Sequence, residues 1–144
     1  MYGNGANAYH STGVMTADPK RLVIMCYEGA IDSLKVAKKM FIAKDFEGKG
    51  KAIIKAQGII NELMQALDFE KGGEIAKNLD AIYNYISRRI IEADIKRDMS
   101  GLNEVIRILE GLKSAWEEIF YGHAQTETTS TNVNDDSVAQ TIRA

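Results

Sequence analysis

Proline and cysteine occur once each in the 144 residues, as Pro19 and Cys26, and histidine twice, as His10 and His123. A single cysteine excludes an intramolecular disulfide and makes a reducing cytoplasm the expected home. Two isolated histidines exclude a di-iron bundle, which needs Glu-x-x-His pairs on inward helical faces. They also exclude phosphotransfer from a helical histidine, because both lie in the tails. Charge of one sign is lacking as well: 18 basic residues stand against 20 acidic ones. No region reads as strongly basic, so no electrostatic footprint for nucleic acid or an anionic membrane is expected. No run approaches the roughly 18 apolar residues of a membrane span, so no membrane insertion is expected. The opening MYGNGANAYHSTG has neither a charged region nor an apolar core of the signal-peptide kind. FEKGGE pairs two glycines without the Lys-Ser/Thr ending of a phosphate loop and reads as a helix end and turn. SRRIIEADIKRD reads as a charged, solvated helix end, and Cys26 as a small core residue. No cofactor, metal or catalytic group is expected, and the chain does not read as an enzyme.

What is present is helical periodicity. Asp18 can cap a first helix with Pro19 at its first position, running from Pro19 to about Ala43. The clusters KDFEGKG and FEKGGE mark the next two boundaries. A second helix is placed at about Gly48 to Leu67, a third at Glu74 to Lys96, and a fourth from an Asp98 cap to Tyr121. Short connections between long helices imply antiparallel neighbours. The expected architecture is an all-α, antiparallel up-down four-helix bundle over residues 18–121. Residues 1–17 are expected to form an N-terminal cap segment. Residues 122–144 read as a disordered polar tail, Thr-rich and without periodicity.

The helices are unequal. Ile75, Leu79, Ile82, Tyr83, Ile86, Ile90 and Ala93 make one narrow stripe on the third helix. The first is apolar almost all round from Leu22 to Tyr27, and the second and fourth are apolar over about half their circumference. A core-facing stripe needs an arc of about 100°. The excess is either more core, around a central first helix, or a strip that receives an amphipathic partner helix. An open strip invites aggregation, and the segment carrying Tyr9, Val14 and Met15 can cover it. A homodimer interface is the alternative use of the same strip. A small apolar ligand beside Met25, Met40 and Met64 is a third, though methionines at helical spacing usually fill a core.

VMTADPKRLVIMCYEGAI (14–31), KAQGIINELMQALDFEKGGEIAKNLDAIYNYISRRIIEADIKRD (55–98) and EVIRILEGLKSAWEEI (104–119) closely resemble the flagellar secretion chaperone family, FliS. The resemblance spans Tyr9 to Ile119, and Met99 stands where the family often has a proline. It implies a cytoplasmic chaperone that binds the C-terminal segment of flagellin, blocks premature polymerisation and assists delivery to the flagellar type III export gate. It also implies that the N-terminal segment can fold over part of the binding surface and take part in contact with the gate. The family tyrosine ahead of the T-A-x-P motif falls on Tyr9. The residues expected to meet the partner are Tyr9 and Val14, Leu22 and Met25, then Ile53, Ile59 and Leu63, and finally Ile108, Leu112 and Ile119.

Overall fold

Four aspartates start the four helices. The computed structural model describes residues 18–122, in which α1 spans Pro19–Ile42, α2 Phe46–Gln65, α3 Phe69–Lys96 and α4 Met99–Tyr121. The first four amides of a helix have no partner within it, so an N-cap carboxylate is well placed to accept from them. Asp18 accepts from the Arg21 amide at 2.7 Å, and Asp45 from that of Gly48 at 2.9 Å. Asp68 accepts from Glu70 and Lys71 at 3.1 and 3.0 Å, and Asp98 from Ser100 at 3.0 Å. Met99, at the first position of α4, occupies a site where proline would also fit.

The expected bundle is present, and the starts of two helices differ from expectation. α2 begins at Phe46 rather than Gly48, since Asp45 caps it and Gly48 lies in its first turn. α3 begins at Phe69 rather than Glu74: FEKGGE is a capped helical turn, broken by Gly73 at φ 51°, ψ −125°, and not a helix end. Only glycine adopts such an angle without strain. The straight part of α3 then begins at Glu74, the residue expected to start it.

α1 packs on α2 and α4, and α3 packs on the same two helices, so α1/α3 and α2/α4 are the diagonals. Contacts confirm antiparallel neighbours. Gly29 meets Ile59 while Met40 meets Gly48; Gln57 pairs with Ser87 while Lys49 pairs with Asp94. The core runs the length of the bundle through Ile24, Leu34, Ile60, Ile86, Leu102 and Leu109, each without exposed surface. Burying one such side chain contributes about 1.5–3 kcal/mol. Most of the wide face of α2 is interior: Ala52, Ile53, Ala56, Ile60 and Leu63 are buried, and so is Leu67 just past its end.

A cluster of three aromatic polar groups is held inside. Trp116 of α4 donates its Nε1–H to the Tyr27 hydroxyl at 3.0 Å, and that hydroxyl meets Tyr83 of α3 at 2.5 Å. These bonds tie α1 to both α4 and α3 across the centre. Buried polar atoms need such partners.

Candidate functional site

The four edges of the bundle differ in chemistry. The α1–α4 edge is polar: Lys113 approaches Glu28 at 3.6 Å and Glu117 at 3.5 Å, and Lys35 approaches Glu110 at 3.6 Å. The α2–α3 edge is tied by reciprocal bonds. Gln57 donates to the Ser87 carbonyl and accepts from the Ser87 hydroxyl, both at 3.0 Å. Lys49, almost wholly buried, meets Asp94 at 2.7 Å on the same edge.

The other two edges are apolar at one end of the bundle, where α1 and α3 begin and α2 and α4 finish. Along α1, Leu22, Cys26 and Gly29 share a face at helical spacing, with Met25 beside them. A Cβ at Gly29 would stand 3.2 Å from Ile59, so this face looks toward α2. Leu22, Met25, Cys26 and Ile59 are half-buried and form the α1–α2 seam. Burial, and then the charge of Glu62 on α2, pushes the Cys26 thiol up to about 11, so it stays protonated.

The second seam lies between α3 and α4. Gly101 packs so close to Ala93 and Arg89 that an added Cβ would stand 2.7 Å from each. Glu104, on the same face of α4, accepts from Arg89 Nε at 2.8 Å and from the Tyr85 hydroxyl at 2.5 Å. Those hydrogen bonds, Tyr85's first, hold Glu104 below the usual carboxylate range. Ile108, Leu112 and Ile119 continue this face of α4, while Ile75 and Ile82 continue the Arg89 face of α3. All five are half-buried and pack on the core from outside.

The structure thus holds two apolar seams on different edges, each level with the other. The chain also matches known proteins. A family model described as "Flagellar protein FliS" matches residues 2–136. The flagellar secretion chaperone FliS of Salmonella typhimurium is 39% identical over 125 residues, 83% of this chain and 93% of that protein. Flagellar secretion chaperone FliSB of Pseudomonas aeruginosa is 41% identical over 106 residues, 74% of this chain and 84% of its own. FliS of Bacillus subtilis is 34% identical over 115 residues, covering 80% and 85%. The chain belongs to the FliS family.

The FliS match extends to residue 136, past Ile119 where the resemblance was expected to stop. Of the residues expected to meet a partner, Leu22, Met25 and Ile59 fall on the α1–α2 seam, and Ile108, Leu112 and Ile119 on the α3–α4 seam. Ile53 and Leu63, at 6% and 3% exposure, are core instead. The expectation of one strip across the second and fourth helices is also corrected, because α2 and α4 are diagonal and share no edge. Tyr9 and Val14 lie outside the described residues, as do the remainder of the cap segment and the polar tail beyond Gly122. Cys26, read as core, belongs to the seam. Sequence reasoning missed Ile54, Ile91 and Ile95, which are 72%, 50% and 75% exposed. Their signal was an apolar residue lying off the stripe of its own helix. Among the described residues no helix is long and apolar enough to cross a membrane. No group of three or more His, Cys, Asp or Glu side chains among them could hold a metal.

Proposed function

We propose that this FliS-family chain is a cytoplasmic chaperone for the C-terminal segment of flagellin. It keeps that segment from polymerising and carries it to the flagellar type III export gate. The observation behind this reading is the pair of seams. A single rigid helix fills one groove, whereas a segment disordered until bound can lie along one edge, cross the end of the bundle and follow the other. Both seams offer aliphatic side chains that are already half-buried, so each is shaped before the partner arrives. Each further side chain buried adds up to about 1.5–3 kcal/mol, set against the cost of ordering the partner. The relatives named as flagellar secretion chaperones support the same reading. Residues 1–17 precede α1 at the end where both seams lie, which suits a cap that yields to flagellin.

Mixing with a flagellin C-terminal peptide tests it. Titration should give one peptide per chain, and circular dichroism should show more helix than the sum of the parts. Ile59→Asp and Ile108→Asp should each weaken binding roughly tenfold to a hundredfold while the bundle stays folded. Added salt should change affinity little. No binding, or binding without gained helix, contradicts the proposal. Ile54, Ile91 and Ile95, which neither seam uses, favour weak homodimerisation as a second reading; a concentration-independent monomer would rule it out.

A further inference from the structure

Seven of the chain's basic residues are lysines packed between Lys35 and Lys55, against only Asp45 and Glu47. Because α1 and α2 are antiparallel, this stretch folds back on itself and concentrates positive charge at the end of the bundle away from the apolar seams. Lys49 is turned inward to Asp94. Lys39, Lys44, Lys51 and Lys55 are exposed. Lys51 approaches Glu47 at 3.6 Å, an exposed pair that contributes little and leaves the ammonium available.

Beside Lys51 and Lys55 runs an open groove of about 440 Å³. Its floor is Gly29, Ser33, Met40, Gly48 and Ala52, small or flexible groups that let another backbone come close. Val36, 43% exposed, gives it an apolar lip on α1. Lys51 and Lys55 form the α2 rim, and Asp32 is the one carboxylate on the opposite rim. An apolar floor between two helices fits the ridge of a third, and lysines along one flank select for carboxylates on that ridge's side. A phospholipid surface would meet the lysines but could not reach the floor.

We propose that the lysine-rimmed half of the α1–α2 groove is a second docking site, for an acidic amphipathic helix of another protein. It adjoins one apolar seam at Gly29 on the same α1–α2 edge but extends away from it, toward the end of the bundle opposite the one the flagellin reading uses. The occupant would set apolar side chains on Val36, Met40 and Ala52 and carboxylates against Lys51 and Lys55. Its encounter would be steered by charge and weakened by salt, unlike burial on the seams.

The test uses the full chain and a short synthetic helix with a leucine ridge flanked by glutamates, followed by fluorescence anisotropy. A control helix carries lysine in place of each glutamate. The acidic helix should bind, lose affinity as salt rises, and shift amide resonances of Val36 and Ala52. The Lys51→Glu/Lys55→Glu variant should bind it roughly tenfold more weakly, and Asp32→Asn more tightly. Both changes are at exposed positions, and circular dichroism checks that the bundle persists. The flagellin peptide should bind the double variant as it binds the parent chain, so failure of one reading is separable from failure of the other. Equal binding of the lysine helix, full affinity in the double variant, or complete displacement by anionic phospholipid vesicles would overturn the proposal.

Discussion

The hydroxyls of Tyr27 and Tyr83 meet at 2.5 Å in the centre of the bundle, joining the diagonal helices α1 and α3. Trp116 donates to the same Tyr27 oxygen, which makes Tyr27 the middle member of the group. Removing Tyr83 loses one hydrogen bond, while removing Tyr27 loses two and leaves the buried Trp116 N–H and the Tyr83 hydroxyl without that partner. Tyr83→Phe should therefore cost about 0.5–1.5 kcal/mol, and Tyr27→Phe clearly more, about 2 kcal/mol or above. Urea unfolding of the two variants checks the order; equal losses would show that the two hydroxyls do not act as described.

The same burial sets a pH dependence. Desolvation raises Tyr27 from 10.0 to about 12 and Cys26 from 9.0 to about 11, and Tyr83 rises as well. In each case folding favours the protonated form. The stabilisation is complete below the unfolded value and disappears as pH climbs to the folded one. Stability should hold through neutral pH, fall from about pH 9 as Cys26 begins to ionise in the unfolded chain, and fall further from about pH 10 with Tyr27. Denaturant midpoints across this range test it, and a Cys26→Ala variant should delay the onset.

Gly101 is required by close packing of α3 on α4. A methyl group there would collide with Ala93 and the Arg89 guanidinium. Gly101→Ala should cost about 1–3 kcal/mol despite alanine's better helix propensity. Gly111→Ala, where no atom lies within 4 Å of the new methyl, should be neutral or stabilising. Thermal unfolding of the pair separates packing from propensity.

Much of this fold is legible in the sequence because its signals are local. Asp18-Pro19 and Asp98 announce their helices without reference to anything distant, and the single stripe of α3 names its core. The Asp68 cap was concealed by the glycines that follow it, which look like a stop and are a kink. Apolar arcs on α2 and α4 were also legible, but a helical wheel carries no information about which helices are neighbours. The arcs read as one strip and proved to be a wide core plus two separate seams. Ile53 and Leu63 moved inward for that reason. The expectation that no region is strongly basic passed over the lysines of the α1–α2 hairpin, because acids elsewhere bring the net to −2.

The proposed cap gives a further expectation. Residues 1–13 hold too few apolar side chains to fold alone, and ordering each residue costs about 1–2 kcal/mol of backbone entropy. Their deletion should leave the bundle folded, increase self-association in sedimentation experiments, and leave affinity for a flagellin peptide unchanged or higher. Much weaker binding by a folded truncation would mean that the segment is a binding arm.

The most direct test of the account is hydrogen exchange on the full chain, free and with a flagellin C-terminal peptide at one-to-one stoichiometry. Protection should increase along both seams, around Leu22, Met25 and Ile59 and around Ile108, Leu112 and Ile119, while the α1–α4 edge near Glu28 and Lys113 changes little. A saturated complex that protects only one seam, or neither, would contradict it.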